Sequence, residues 1–185
     1  MMTLVIGGSC SGKSAYAEGL LEGFSEKFYI ATMLAEDEKS KDRVERHRLL
    51  RSGKNFVTVE QPRRLEEAAE KIRRYSAEGE KCSERQTAGL LECVSNLVAN
   101  EMFLPTEIRG EKQTAQLVLQ GIQVLAQEVQ ELVVVSNNVF GDGIHYDEDT
   151  MAYLRSMALV NERLAERADR IVEVVVGIPV VLKEK

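Results

Sequence analysis

The chain is poor in cysteine, in long apolar runs and in positive charge, and each shortage argues against a class of protein. Cys10, Cys82 and Cys93 are its only cysteines. Their number is odd and no CxxC spacing joins any two, which argues against a disulfide framework and points to a reducing compartment. No apolar run approaches the roughly 18 residues that mark a membrane span. Residues 1–6 lead into a β-prone segment, not into a basic region followed by an apolar one, so the expectation is a soluble, cytoplasmic protein with no membrane insertion. Lys and Arg number 24 against 30 Asp and Glu, a formal charge of −6. That balance argues against a nucleic-acid partner or an anionic-membrane surface, and it makes any phosphate site a local positive island. Internal repeats and low-complexity segments are absent as well.

What remains is globular, with 44% hydrophobic and 29% charged residues. A length of 185 residues suffices for one α/β domain with a substantial core and is too short for two, so residues 1–185 are expected to form a single domain.

The most informative stretch is Gly7-Gly8-Ser9-Cys10-Ser11-Gly12-Lys13-Ser14, which fits G-x-x-x-x-G-K-[ST] at every fixed position. Thr3 to Ile6 before it is β-prone, and Ala15 to Leu21 after it spaces apolar residues as a helix does. Strand, loop and helix are the context the pattern requires. Glycines let successive backbone N–H groups turn inward on phosphate oxygens, and the following helix offers its positive end. In this reading Lys13 reaches the β- and γ-phosphates, the Ser14 hydroxyl ligates Mg2+, and Cys10 fills a position the pattern leaves free.

Strand and helix signals alternate beyond it. Lys27 to Thr32 reads as a second strand, with Thr32 at the end where open α/β sheets carry ligand contacts. Glu36 to Ser52, charged and free of proline, reads as an exposed helix stopped by Gly53. Asn55 to Val59 is a short strand, and Pro62 opens a helix whose apolar face is Leu65, Ala68, Ala69, Ile72 and Tyr75. A polar loop over Ala77 to Gln86 leads to an apolar strand, Gly89 to Cys93, and a helix, Val94 to Phe103. After a loop over Pro105 to Lys112, a helix from Thr114 to Val129 turns Leu117, Val118, Gly121, Ile122, Leu125 and Val129 inward. Leu132 to Val135 has the β-branched character of a central parallel strand, and Ser136 to Gly143 is its exit loop. Asp147 to Ala168 is the longest helix, with Met151, Leu154, Ala158, Leu164 and Ala168 inward. Ile171 to Val176 and Val180 to Leu182 form a hairpin-like pair split by Gly177 and Pro179.

The fold class is therefore α/β: a three-layer, phosphate-loop NTPase-like domain with a mostly parallel sheet, helices on both faces and an antiparallel C-terminal strand. Ligands belong at the carboxyl ends of the strands, where Gly7 to Ser14, Thr32, Glu92 and Ser136 to Asn138 converge.

Arg43-Val44-Glu45-Arg46-His47-Arg48-Leu49-Leu50-Arg51 carries a second kind of chemistry. On a helix, Arg43 and Arg51 lie one turn either side of His47, so the three share a face. Guanidiniums beside an imidazole disfavour the imidazolium and hold a phosphate next to the neutral ring, as a phosphorus nucleophile requires. Periodicity alone favours the blander alternative, a solvated histidine in a charged helix.

Taken together, the phosphate loop, Tyr29-Ile30-Ala31-Thr32, Arg43-Val44-x-x-His47-Arg48-x-x-Arg51, Leu90-Leu91-Glu92-Cys93 with Asn96 and Asn100, and Asn161-x-x-Leu164-Ala165-x-x-Ala168-Asp169 resemble one family. It is the adenosylcobinamide kinase/adenosylcobinamide-phosphate guanylyltransferase family, matched in order over almost the whole chain. The resemblance implies a bifunctional enzyme of cobalamin biosynthesis. Such an enzyme phosphorylates the aminopropanol hydroxyl of adenosylcobinamide with ATP or GTP, then transfers GMP from GTP to that phosphate through a guanylylated histidine. It implies catalytic roles for Lys13 and His47, and nucleotide contacts from Gly7, Gly8, Ser9, Cys10, Ser11, Gly12, Lys13, Ser14, Thr32, Arg51, Lys54, Glu60 and Glu92. It also implies Mg2+ at Ser14 and Glu92, and a homo-oligomer, a trimer. Either Glu60 or Glu92 fits guanine, whose N1–H and amine a carboxylate accepts, and either fits the metal.

One loop departs from the family pattern. Where the family has Thr-Asn-Glu-Val-Gly-x-Gly-Ile-Val-Pro, this chain has Ser136-Asn137-Asn138-Val139-Phe140-Gly141-Asp142-Gly143-Ile144-His145-Tyr146. Asn138 stands in the place of the acid and neither acts as a base nor neutralises a metal, leaving Asp142 as the loop's substitute. His145 matches no family histidine and reads as a surface or supporting residue. Asn161 reads as a buried, hydrogen-bonded structural residue. Two other readings stand beside the bifunctional one: a kinase whose second step is lost or altered, and a GTP-binding regulatory protein without turnover, for which His47 and its arginines have no use.

Overall fold

The computed structural model describes residues 1–34, 53–78, 86–139, 143–144 and 146–185. The expected helix over Glu36 to Ser52, with Arg43, His47, Arg48 and Arg51, lies outside the described residues, as do Cys82, Asp142 and His145.

Among the described residues, seven strands form one sheet in the order β3-β2-β4-β5-β1-β6-β7. They are β1 (Met2–Ile6), β2 (Glu26–Ala31), β3 (Phe56–Glu60), β4 (Thr87–Glu92), β5 (Glu131–Val135), β6 (Arg170–Val175) and β7 (Ile178–Glu184). Among the described residues the helices are α1 (Lys13–Gly19), α2 (Leu65–Glu78), α3 (Val94–Met102), α4 (Glu111–Ala126) and α5 (Glu148–Arg167). Every neighbouring pair is parallel except β6 and β7. Only two residues join β6 to β7, which permits a hairpin and no crossover.

Each strand sends alternate residues to opposite faces, and the two faces are covered differently. Leu4, Phe28, Ile30, Leu91, Leu132 and Val134 belong to a core completed by residues of α2, α3, α4 and α5. Val5, Tyr29, Leu90, Val133, Val135 and Val172 belong to a smaller core under Ala17 of α1 and Leu21 at its exit. Because both faces are covered, β5 is buried at all five positions and shows no alternation, which is why a run of β-branched residues marks the middle of the sheet.

On the four-helix face the inward stripes follow the expected helical period with small shifts. In α4 the buried residues include Ala115, Val118, Leu119, Ile122 and Leu125, and Leu117, expected inward, is 38% exposed because it lies about 100° round the helix from Val118. In α5 the buried positions are Ser156, Met157, Val160 and Leu164, so Ala158 faces solvent for the same reason. Tyr75 is half exposed, yet its ring meets Phe28 edge-on at 5.5 Å. Gly121 lets α4 approach α2 closely, since a Cβ there would lie 2.8 Å from Cβ of Leu65. Pro62 does not itself open α2. The helix starts at Leu65, after Arg64 at φ 54, and the Arg64 N–H donates to the buried Glu101 carboxylate at 2.6 Å. Glu101 also accepts from Arg109 at 2.7 Å, which ties α3 to the loop before α4.

Candidate active site

Parallel strands all end on one edge, so the exits of β1, β2, β4 and β5 gather there. The ladder continues past those ends. Thr32 N–H donates to the Glu92 carbonyl at 3.0 Å, Ser136 N–H to that of Val5 at 2.9 Å, and Asn138 N–H to that of Gly7 at 3.1 Å. The glycine loop leaves β1 among these exits. Cys10 at φ 58 and Gly12 at φ 91 take left-handed conformations that bend the chain back to α1. Lys13, buried at the first position of α1, returns its ammonium to the loop and donates to the Gly8 carbonyl at 3.1 Å.

Glu92 is the acid that the sheet delivers to this loop. Its row runs from Ala31 of β2 to Val135 of β5 on the α1 face, and the Ser14 hydroxyl donates to its Oε1 at 2.5 Å. Glu60 lies in the same row but on the edge strand, beside Ala31 and so two strands from Glu92, about 10 Å away by strand spacing. Spacing along the chain leaves the two acids equivalent; the strand order separates them. A hydroxyl and a carboxylate that converge next to a phosphate loop suit Mg2+, which takes one or two such oxygens and completes its shell with phosphate and water. Among the described residues no group of three or more His, Cys, Asp or Glu converges, and an ion carried by phosphates needs none.

Behind Glu92 stands a layer of satisfied polar groups. Thr32 is fully buried, and its hydroxyl accepts from the Cys93 N–H at 2.7 Å and donates to the Cys93 carbonyl at 2.8 Å, across a cis Glu92–Cys93 peptide. The hydroxyl is thereby committed to the backbone that carries Glu92. Asn100 donates to the Thr32 and Pro62 carbonyls at 2.7 and 3.0 Å, holding the exit of β2 against the turn before α2. Asn137 donates to the Ser95 hydroxyl at 2.6 Å, and Ser136 donates to Asn161 Oδ1 at 2.6 Å. Asn161 is thus hydrogen-bonded as expected, though half-buried and not buried. Burial pushes the Cys93 thiol up, so it stays protonated at neutral pH and is no nucleophile. Burial likewise pushes Tyr153 up to about 12 where its hydroxyl donates to the Ser95 carbonyl.

Lys54 pairs with Glu18, one turn beyond Ser14 on α1, so its cation sits on the flank of the site. Asn138 is exposed, and its backbone, not its amide, is what meets the glycine loop. Asn137 is expected at the site as part of the exit Ser136 to Asn138, whereas sequence reasoning misses its partner Ser95, a small polar residue in the first turn of α3 with no local signal. A groove of about 580 Å3 between α4 and α5, lined by Lys112, Leu119, Arg163 and Arg167 among others, belongs to the opposite, four-helix face.

A family model described as cobinamide kinase / cobinamide phosphate guanyltransferase matches residues 3–182. The chain belongs to this family. The bifunctional adenosylcobalamin biosynthesis protein CobU of Escherichia coli (strain K12) is 32% identical over 99% of this chain and 100% of its own length. The protein of the same name from Salmonella typhimurium is 33% identical with the same coverage, and the bifunctional CobP of Pseudomonas aeruginosa is 27% identical over 99% of this chain and 98% of its own. Family membership makes the chain an enzyme of cobalamin biosynthesis, with a kinase and a guanylyltransferase activity. Among solved structures, an ATPase domain superposes with a TM-score of 0.52 at 10% identity, over 93% of this chain and 68% of that one. A DnaB-like replicative helicase superposes at 0.55 and 11% identity, over 93% of this chain and 46% of that one. At such identities the likeness is one of fold: the phosphate-loop NTPase architecture read from the sequence.

Proposed function

We propose that this chain phosphorylates adenosylcobinamide and then carries GMP from GTP onto the resulting adenosylcobinamide phosphate through a guanylylated His47. The observation that carries the reading is the convergence of the Lys13 ammonium, the Ser14 hydroxyl and the Glu92 carboxylate at the carboxyl edge of β1 and β4, in a chain of this family. In the first step the backbone N–H groups of Gly7 to Ser14 and the Lys13 ammonium hold the triphosphate of ATP or GTP. The aminopropanol oxygen forms a bond to the γ-phosphorus, the bond to the nucleoside diphosphate breaks, and the hydroxyl proton is lost. Ser14 and Glu92 would hold Mg2+, which supplies charge neutralisation on the transferred group when bound. In the second step a His47 ring nitrogen attacks the α-phosphorus of GTP and pyrophosphate leaves. An oxygen of the cobinamide phosphate then takes the guanylyl group and frees the histidine. Two displacements replace one between strongly charged partners.

His47 and Arg51 lie outside the described residues, and their roles rest on the resemblance of the Arg43 to Arg51 stretch to the family. Lys54 and Glu60 are assigned to the nucleotide at the flank of the site, and Thr32 to holding the Glu92 backbone. We propose further that residues 1–185 act as a single cytoplasmic domain and assemble as a homo-oligomer, a trimer by the same resemblance. The exposed Ile178, Val180, Val181 and Leu182 of the edge strand β7 favour association. The test is incubation with α-labelled GTP. An acid-labile, base-stable GMP adduct that disappears in His47→Ala, alongside phosphorylation of cobinamide, supports both steps. Cobinamide phosphorylation without any adduct would leave the kinase alone.

A further inference from the structure

β6 lies beside β1, so the hairpin that follows β6 arrives next to the glycine loop that follows β1. The approach is close. A Cβ on Gly7 would lie 2.6 Å from the Val174 carbonyl oxygen, and one on Gly12 would lie 3.3 Å from Cα of Gly177. The Gly177 N–H donates to the Ser11 carbonyl at 2.8 Å. Among the described residues, two elements thus hold the glycine loop from outside: Asn138 N–H on the Gly7 carbonyl, and the hairpin turn on the Ser11 carbonyl.

The turn is built at some conformational cost. Its two central residues, Val176 at φ 45 and Gly177 at φ 84, are both left-handed, as a two-residue connection between twisted strands demands. Glycine takes that conformation readily; a β-branched residue does not. Val176 is 83% exposed, so packing of its side chain does not explain why the turn holds. Among the described residues the turn contacts Ser11 and Gly12 through Gly177.

We infer that the Val176–Gly177 turn is a positioning brace for the nucleotide-phosphate loop, acting on the Ser11–Gly12 peptide. In a trans peptide the C=O and the N–H point in opposite directions. A hairpin that holds the Ser11 carbonyl therefore aims the Gly12 N–H away from itself, where it is available to a phosphate oxygen. The turn touches no substrate. It sets the direction of a donor that does, and phosphate bound to that donor holds the same peptide in the orientation the turn needs. This inference rests on the phosphate-loop reading of Gly7 to Ser14.

Gly177→Ala tests it, because an added Cβ meets nothing within 4 Å and acts only through the left-handed backbone. The KM for ATP and for GTP should rise roughly tenfold, the worth of about one hydrogen bond, with a much smaller change in kcat. Gly177→Asn, which tolerates φ > 0, should restore most of the loss. If Gly177→Ala does not fold, amide hydrogen exchange of the wild-type enzyme decides: saturating nucleotide should slow exchange at the Gly177 N–H by about tenfold or more. An unchanged KM in folded Gly177→Ala, an equal loss in Gly177→Asn, or exchange at Gly177 indifferent to nucleotide each overturns the brace. Lys13→Ala separates this from the reading beneath it. If that variant binds nucleotide as the wild type does, the phosphate loop is not the site at all; if it fails to bind while the Gly177 readouts do not move, only the brace is lost.

Discussion

The two faces of the sheet are assigned different work. The face under α2 to α5 is an apolar core whose few buried charges are paired, as Glu101 is with Arg109. The α1 face has a smaller core, and near its carboxyl edge it carries Lys13, Ser14, Glu92 and the Lys54–Glu18 pair. One sheet can divide its labour in this way because alternate residues of each strand point to opposite sides, so changing one face need not disturb the other.

Glu101→Ala should give the largest effect, because it leaves the Arg64 N–H without its acceptor and the Arg109 cation with the Glu101 carbonyl but no countercharge in a mostly buried place. A loss of about 3–5 kcal/mol in denaturant unfolding is expected, with the nucleotide KM unchanged in the folded fraction. A raised KM at native stability would break the division between the faces. Lys13→Ala should do the reverse, lowering the rate of cobinamide phosphorylation by about a hundredfold or more while the melting temperature stays within a few degrees. Gly121→Ala presses a methyl onto Leu65 where α4 meets α2. Overpacking of about 1–3 kcal/mol is partly offset by the better helix propensity of alanine, and calorimetry should show a net fall with activity per folded molecule intact.

Glu131 sharpens the comparison, since it shares the α1 face by its register with Ala88 but stands at the amino edge, away from the phosphate loop. Burial pushes its carboxyl up, against the hydrogen bond from Thr3 at 2.8 Å that pulls it down. The folded state therefore holds the proton more tightly than the unfolded state. Its contribution is favourable at acid pH and is lost as pH rises through the folded pKa. Glu131→Gln should match the wild type in melting temperature at acid pH and exceed it increasingly toward neutrality. Equal melting curves at all pH values would remove that burial cost from the account. Val176→Asn should have the smallest effect, a gain of up to about 1 kcal/mol from relief of the left-handed valine, read as a melting point higher by a few degrees.

Much of this architecture is legible in the chain alone, for reasons particular residues make plain. The glycine loop is readable because its residues must be contiguous to wrap a phosphate. β5 is readable because burial on both faces demands an unbroken run such as Leu132 to Val135. The inward stripes of α4 and α5 are readable to within one residue, and periodicity misplaces Leu117 and Ala158 because a stripe's edge depends on which neighbour it meets. Thr32 is expected at the ligand, yet its hydroxyl is taken up by Cys93, a partner 61 positions away in the chain. No local pattern encodes such a pairing.

The sequence by itself determined that a strand, a glycine loop and a helix would present Lys13 and Ser14, since that device is local and its chemistry follows from residue type and spacing. Only the tertiary structure decided that Glu92 and not Glu60 meets Ser14, and that Gly177 reaches Ser11. Both depend on strand order, and strand order is set by which faces the whole chain can bury together.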